Sequence, residues 1–213
     1  MLIDLHVHTN PKSPCSSMTL DQVVEEAKRI GLDGICLMEH DILWPDEEIA
    51  LARREYNFLI LNGYEISSLD GHFLAHGYKE LVDPYLEIRE IREILLPNKG
   101  FIAIAHPFRE FLVAGIEEIG LKVEEEAKKD LFKFVDGIEV LNGRVSKKAN
   151  KFTKKVNSIL KLKEIGGSDA HEIYEIGKIV TDFKSVDIQD ENDLVRELKI
   201  GNYEVKYFRD EKK

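Results

Sequence analysis

Histidine and carboxylate side chains of this chain gather where predicted strands end. Five histidines lie at or just past the C-terminal end of a predicted strand: His6, His8, His40, His106 and His171. In a barrel of parallel strands these ends meet on one face, so ligands that are far apart in sequence converge in space. Imidazole suits zinc and iron, and carboxylates extend the range to manganese. The placement therefore predicts a metal centre.

The pair His6 and His8 is the most local part of this pattern. Side chains two residues apart on a strand point the same way, roughly 6 to 7 Å apart, so both imidazoles can bind one ion. As an isolated pair, two surface histidines at a strand edge are the alternative. Three further strand ends add nitrogen or oxygen ligands, namely Glu39-His40-Asp41, Gly63-Tyr64-Glu65 and the run from Gly166 to His171.

The elements that must position these groups follow from the apolar pattern. The first predicted strand, residues 2–8, has Ile3, Leu5 and Val7 on one face and Asp4, His6 and His8 on the other. Short apolar runs then alternate with amphipathic helical stretches along the chain. This order favours a parallel sheet or barrel built from β/α units.

Several helices carry recognisable end signals. Thr19 and Gln22 have the spacing of a capping box at the start of a helix over residues 19–30. Asp83 and Pro84 predict the start of another helix, and Pro97 its end. A third helix is predicted over residues 123–134.

Length and composition limit the classes of function that the chain can have. The 213 residues contain no repeat and no linker-like tract, which predicts a single domain over residues 1–213. The net charge of -10 disfavours a stable nucleic-acid partner. Two cysteines make no disulfide framework, and no apolar run is long enough to span a membrane. We therefore expect a cytoplasmic protein without a membrane partner.

Five ordered segments carry a family resemblance. They are "DLHVHT…SPCSSMTLDQVVEEAKRIGLDGICLMEHD", "GYEISSLDGHFLAHG", "IAIAHPFR", "DGIEVLNGR" and "GGSDAH". Together they resemble the PHP family, named for polymerase and histidinol phosphatase, over about residues 1–183. The resemblance implies an α/β fold, a distorted (β/α)7 TIM-like barrel, with a C-terminal helix and strand packing on it. It also implies two or three divalent metal ions and metal-dependent phosphoester hydrolysis.

The resemblance assigns metal ligation to eight positions: His6, His8, His40, Glu65, His72, His106, Asp169 and His171. Glu65 is expected to bridge two ions. His76 lies on the same face of its strand as His72, and an alternative alignment exchanges the two. We otherwise expect His76 to support the ligands or to face the substrate.

The chain departs from the family pattern at two places. Ser13-Pro14-Cys15-Ser16 stands where relatives usually have an aspartate, so a third metal site depends on whether Cys15 binds as a thiolate. The alternative is that Cys15 only lines the loop. Glu39 replaces the usual aspartate before His40, with a longer arm and the same charge.

Two arginines are candidates for binding substrate phosphate. Arg109 follows His106 by one short turn, and a guanidinium can hold a phosphate through two parallel hydrogen bonds. Arg144, after Asn142-Gly143, is a second candidate. For either arginine the alternative is a surface ion pair. Residues 110–121 and 141–146 are expected to shape the pocket.

The predicted function is therefore hydrolysis of a small phosphorylated metabolite or nucleotide, with zinc, manganese or iron as cofactor. One alternative is an amidohydrolase-type C–N hydrolase, which often uses a carboxylated lysine on a middle strand. Here Glu65 is the middle-strand carboxylate and Lys79 falls after its strand. The other alternative is a non-catalytic PHP-like scaffold or RNA-binding module, suggested by the five lysines between Lys147 and Lys155.

Overall fold

The computed structural model of the protein describes residues 1–109, 121–184 and 186–209. Within these ranges nine strands form one sheet: β1 (Leu2–Val7), β2 (Gly34–His40), β3 (Leu59–Ser68), β4 (Gly71–His76), β5 (Phe101–Ile104), β6 (Gly137–Asn142), β7 (Lys163–Gly167), β8 (Ile179–Phe183) and β9 (Tyr203–Tyr207). Six α-helices accompany them: α1 (Leu20–Arg29), α2 (Asp46–Tyr56), α3 (Ile88–Leu95), α4 (Val123–Glu126), α5 (Lys147–Leu160) and α6 (Glu191–Ile200). None of the helices in these ranges has the length and apolar character of a membrane-spanning segment.

The strand order is β7-β6-β5-β4-β3-β2-β1-β8-β9. β1, β2 and β3 are parallel to one another, as are β5, β6 and β7, whereas β4 is antiparallel to both neighbours. β8 is antiparallel to β1 and to β9. The predicted barrel-like α/β architecture is confirmed. The antiparallel β4 and β8 make it depart from a regular repeat of seven β/α units.

The sheet closes almost into a ring where β1 meets the end of β7. The His8 amide donates to the Ala170 carbonyl at 3.0 Å, and the Ala170 amide donates to the His6 carbonyl at 3.2 Å. A Cβ at Gly167 would lie 2.4 Å from the His6 Cβ, so this approach requires glycine. The contact brings the first strand beside the residues that follow β7.

Apolar side chains fill the inside of the barrel below this closure. Ile3 and Leu5 belong to a buried cluster with residues of β2 to β5, and Leu194 and Leu198 of α6 complete it. A Cβ at Gly77 would meet Val195, which shows how closely α6 lies under the barrel. α6 therefore covers the end of the barrel opposite to the polar strand ends.

The face assignment predicted for β1 is wrong in part. The register of β1 against β2 shifts between Asp4 and Val7. Ile3 and Leu5 join the inner apolar cluster, whereas Val7 joins the one beneath α1 and α2. A bulge therefore interrupts the simple alternation, and the Asp4 carboxylate accepts a hydrogen bond from the Gly177 amide.

The helix-end predictions had mixed outcomes. The capping box of α1 is present, because Thr19 and Gln22 exchange side-chain to backbone hydrogen bonds. α3 starts at Ile88 and not at Pro84, since the backbone at residues 85 and 86 bonds to the β3–β4 hairpin instead. The helix predicted over residues 123–134 is two short pieces, α4 and a 3-10 turn at Asp130–Phe134.

Candidate metal centre

All eight residues predicted as metal ligands converge at one end of the barrel. They come from strands β1 to β4 and from the segments after β1, β5 and β7: His6, His8, His40, Glu65, His72, His106, Asp169 and His171. Four of them are almost completely buried: His6, His8, Glu65 and Asp169. The side chains of His40 and His72 are 31% and 40% exposed, so the cluster opens to solvent on their side.

The Glu65 carboxylate lies at the centre of the cluster. Its Oε1 is 2.8 Å from His72 Nδ1 and 3.0 Å from His106 Nε2. Its Oε2 is 3.3 Å from one ring nitrogen of each of three histidines, His6, His8 and His40. A carboxylate whose two oxygens face different sets of imidazoles is suited to bridging two ions, as the family resemblance implies for Glu65.

Asp169 is the second buried carboxylate of the cluster. Its Oδ1 lies 3.3 Å from His8 Nε2 and 3.5 Å from His171 Nδ1. Its Oδ2 accepts a hydrogen bond from Arg109 Nη1 at 2.9 Å. Asp169 and His106 both have positive backbone φ angles, 54° and 29°. Such strained backbone is found at functional sites, where the surrounding structure imposes it.

Three overlapping groups within the described residues bring three ligand atoms within 4.8 Å of one another. They are His8, His40 and His171; His6, His8 and Asp169; and His40, Glu65 and His72. Each group offers imidazole nitrogens, and two of them add a carboxylate. A catalytic zinc or iron site typically has three protein ligands and one open coordination position. The residues therefore fit divalent transition-metal ions.

Opposite charges shift the pKa values inside the cluster. Burial would raise the pKa of Glu65, but the His6 cation and hydrogen bonds from His106 and His6 hold it well below its usual range. Burial would lower the pKa of His6, but Glu139, Asp169 and Glu65 keep it well above its usual range. Burial, reinforced by neighbouring histidine cations, lowers the pKa of His40 to about 4.

These shifts describe a cluster that attracts cations. The imidazole rings of His8 and His40 stand 4.5 Å apart, and those of His8 and His171 4.4 Å apart. Protons on several rings at such distances repel one another, whereas one divalent ion can satisfy several neutral rings and a carboxylate together. Metal ions and protons must therefore compete for the same nitrogens.

Glu139 of β6 supports the ligands, although the sequence analysis gave it no role. Its Oε1 is 2.9 Å from His6 Nδ1, the ring nitrogen that faces away from Glu65. Its Oε2 accepts hydrogen bonds from the His106 amide and from Asn142 Nδ2, each at 2.9 Å. Metal-binding histidines usually donate their second ring nitrogen to such a carboxylate. The signal was present in "DGIEVLNGR", where an acid sits inside an apolar strand.

Glu39 and Cys15, the two departures from the family pattern, lie outside the three ligand groups. Glu39 accepts hydrogen bonds from the Thr9 amide and from Trp44 Nε1, both at 3.0 Å, so it holds the loop after β1. Cys15 is exposed, and partial burial together with the charges of Glu65 and Asp169 raises the pKa of its thiol. Ligation by Cys15 stays a prediction.

The structure does not bring His76 to the cluster, and the expectation that it faces the substrate is wrong. Its ring is fully buried, with Nδ1 3.8 Å from Cys36 Sγ and with Phe101 alongside. β4 runs antiparallel to its neighbours, so its first residues lie at the metal end. His76 follows His72 by four residues, which places it about 13 Å deeper in the barrel.

The two arginines lie at the rim of the cluster. Arg109 Nη1 contacts both Asp169 and His106, and among the described residues Nε and Nη2 have no partner. Arg144 Nε is 3.6 Å from Glu175 Oε1, and its charge helps to lower the pKa of His171, behind burial and the His8 cation. Arg109 thus has nitrogens available for a ligand beside the cluster.

A cavity of about 680 Å³ adjoins the cluster on the side of His72, His106 and Arg109. It extends from the β3–β4 turn to the 3-10 turn at Asp130–Phe134. Of the segment 110–121, which was expected to shape the pocket, residues 110–120 lie outside the described part of the chain. In segment 141–146, Asn142 contacts Glu139 and Asp169.

Sequence comparison finds two similarities. The profile of a family described as PHP-associated matches residues 147–203, which includes Asp169 and His171. The chain is also 25% identical over 206 residues to an uncharacterised protein of Methanocaldococcus jannaschii, and this match covers 91% of the chain and 75% of that protein.

Solved structures show the same fold. One is a two-domain protein of Bacteroides vulgatus that contains a predicted PHP-like metal-dependent phosphoesterase, with a TM-score of 0.67, 20% identity and coverage of 98% of this chain and 65% of that one. Another is an amidohydrolase of Chromobacterium violaceum with bound sulfate and no metal, with a TM-score of 0.65, 16% identity and coverage of 98% of both chains.

Proposed function

We propose that the chain, which matches a PHP-associated family profile over residues 147–203, is a PHP-type metal-dependent hydrolase that cleaves the phosphoester bond of a small phosphorylated metabolite or nucleotide. Two or three divalent ions, zinc, manganese or iron, would be held by the eight clustered residues. The single observation that carries the proposal is the Glu65 carboxylate, which lies within 3.3 Å of five imidazoles from four different parts of the chain.

The residues of the chain divide the work of this reaction. Divalent ions held by the eight clustered residues would supply Lewis acidity toward the phosphoryl group and toward the attacking water. Arg109 binds phosphoryl oxygens through the nitrogens that Asp169 does not use, and so stabilises charge that develops there. Glu139 holds the His6 ring in the orientation that points Nε2 into the cluster. Arg144 is a second candidate for the phosphate, next to His171.

C–N hydrolysis is the second candidate function, favoured by the similar fold of the Chromobacterium violaceum amidohydrolase. A carboxylated lysine on a middle strand has no counterpart in the described cluster. Lys79, the lysine nearest to the end of β4, is paired with Asp46 and its side chain is 76% exposed. Glu65 supplies the central carboxylate instead, which suits a phosphoesterase of the type that the family resemblance implies.

A metal-poor scaffold is the third reading. The lysines of α5 are exposed, while Phe152 and Val156 on its opposite side are buried, so the helix has an ordinary solvated face. We expect a small phosphorylated substrate in the cytoplasm rather than a nucleic acid, in keeping with the net charge of -10.

Elemental analysis and a substrate screen test the proposal together. Gently purified protein, and protein reconstituted with zinc, manganese or iron, should hold at least two ions per chain. The same preparations should cleave chromogenic phosphomonoesters or phosphodiesters and leave simple amides intact. Fewer than one ion per chain after reconstitution, or cleavage of amides alone, would contradict it. His76→Leu is the matched control, because it removes a histidine of the same barrel that lies outside the cluster.

A further inference from the structure

The cavity beside the metal cluster is lined by two unlike sets of residues. His72, His106 and Arg109 belong to the cluster or contact it. The rest of the lining is largely apolar, with Leu69, Ile104, Leu131 and Phe132 among its residues. Phe132 is 95% buried, whereas Leu69 is 67% exposed at the mouth. The volume of about 680 Å³ is within the usual range for small-molecule sites, about 300 to 1,000 Å³.

The charged groups among the other lining residues already have partners. Lys129 Nζ lies 2.6 Å from Glu126 Oε2, and Asp70 Oδ2 accepts a hydrogen bond from the Ile88 amide at 2.8 Å. Arg109 is thus the lining cation that keeps nitrogens without a partner in the described part of the chain.

The residues that directly follow Arg109, which lie outside the described ranges, add no cation to this lining. Residues 110–120 read EFLVAGIEEIG, with three glutamates and no lysine or arginine. Wherever these side chains lie, they bring no positive charge to the cavity. A phosphate group seated away from Arg109 and the cluster would therefore meet only Lys129, whose charge Glu126 already offsets, and would lose its hydration without gaining an unpaired cation, which is unfavourable.

We propose that the substrate of this site carries one phosphoryl group and an apolar or aromatic organic group. The phosphoryl group lies between the metal cluster and Arg109, and the organic group lies in the cavity against Leu69, Leu131 and Phe132. A substrate with a second phosphate on its far end is disfavoured. The inference rests on the proposed function, since it assumes that the phosphoryl group reacts at the cluster.

Steady-state kinetics on matched phosphoesters test the two parts of this inference. For the apolar group, we expect kcat/KM for 1-naphthylmethyl phosphate, an alkyl ester like glycerol phosphate, to exceed that for glycerol phosphate at least about tenfold, because the ring is removed from water in the cavity. For the second phosphate, we expect glucose 1,6-bisphosphate to be cleaved at least about tenfold less efficiently than glucose 6-phosphate.

A pair of variants distinguishes an effect of charge inside the cavity from an effect of charge elsewhere on the surface. Leu69→Lys places a cation at the mouth of the cavity, and Leu96→Lys makes the same change at a residue of equal exposure, 66%, that does not line it. Leu69→Lys should reduce both preferences severalfold, and Leu96→Lys should leave both unchanged. Equal effects of the two variants, or equal kcat/KM across all four substrates, would overturn the inference while leaving phosphoester hydrolysis intact.

Binding measurements decide the inference even if nothing is cleaved. Calorimetry on the metal-loaded protein compares 1-naphthylmethylphosphonate with methylphosphonate, two phosphonates that cannot be hydrolysed as esters. At least about tenfold tighter binding of the naphthyl compound, weakened by Leu69→Lys but not by Leu96→Lys, supports the cavity assignment. Equal binding of the two phosphonates rejects it. Absence of hydrolysis of every phosphoester, with either binding result, rejects the proposed function instead.

Discussion

Two histidines on one face of β4 have opposite surroundings. His72 lies 2.8 Å from Glu65, and this hydrogen bond raises the pKa of its ring. His76, four residues further on, is fully buried beside Cys36 and Phe101, and its Nε2 has no partner in the described structure. Burial, assisted by the charge of His6, lowers the pKa of His76 to about 3. Depth in the barrel, and not residue type, decides what a histidine on this strand can do.

The same division runs through the whole interior of the barrel. At the metal end, polar side chains are buried only where they contact one another, as Glu65, Asp169 and Glu139 do. Below them, apolar residues of the strands pack against α6. Replacing a polar side chain should therefore impair function at the metal end of the barrel. The same kind of change should have little effect on function in the apolar layer below.

Glu65→Gln should have the largest effect. It keeps the size of the side chain but removes the charge that faces five imidazoles, so the cluster loses its central anionic ligand. We expect the metal content to fall below one ion per chain and kcat/KM to fall by at least about a hundredfold. Elemental analysis and kinetics on one preparation measure both. Full metal content in this variant would disprove the central position of Glu65.

Arg109→Ala should separate substrate binding from metal binding. A guanidinium stays protonated and does not bind cations, so the metal content should equal that of the parent protein. Loss of charge-assisted hydrogen bonds to the phosphoryl group should lower kcat/KM roughly tenfold to a hundredfold, and Arg109→Lys should recover only part. If metal is lost as well, the bond from Arg109 to Asp169 serves the ligand instead.

Glu139→Gln tests the support beneath the cluster. The amide can still accept a hydrogen bond, but it no longer offsets a charge on His6, and the ring loses its anionic partner. We expect metal affinity to fall about tenfold to a hundredfold while the fold is kept. Competition with a chelator of known affinity, compared with His76→Leu, measures the difference. Equal affinity in the two variants would show that Glu139 is merely a buried acid.

His76→Leu should have the smallest effect on function and a distinct effect on stability. A histidine with a folded-state pKa of about 3 and an unfolded value of about 6.5 binds more protons when unfolded, so its contribution to stability is present above pH 6.5 and is lost as the pH falls toward 3. At pH 5 the loss is about 2 kcal/mol.

Urea unfolding of the metal-free protein at pH 7 and pH 5 measures this contribution. His76→Leu should lose less stability between the two pH values than the parent by about that amount, with unchanged metal content and kcat/KM. An identical pH dependence in both proteins would mean that the buried ring is not held in its neutral form.

The convergence of the metal centre could be predicted from the sequence because the ligands follow short apolar runs. Parallel strands carry such residues to one end of a barrel. The proximity of residues as distant in sequence as His8 and Asp169 could therefore be predicted. His76 could not be placed in the same way. The position of a histidine along a strand depends on strand direction, and the reversal of β4 leaves no mark in a pattern of period two.

The bulge in β1 and the supporting role of Glu139 could not be predicted from the apolar pattern of the sequence, for a related reason. The bulge between Asp4 and Val7 depends on how β1 fits both β2 and the segment after β7, and these are contacts between distant parts of the chain. Glu139 resembled any acid within a strand until its neighbours were known. Local end signals were more informative: the α1 capping box lies entirely within residues 19–22.

Because the ring closes between β1 and β7, the ligand groups depend on different stages of folding. His40, Glu65 and His72 are about 30 residues apart at most and come from three consecutive strands. His6, His8 and Asp169 span about 160 residues, and the entropy of joining the longer loop costs about 1.5 kcal/mol more. The first group can assemble on a nascent three-stranded unit, whereas the second exists only once the ring has closed. An ion bound by His6, His8 and Asp169 would link the two ends of the ring.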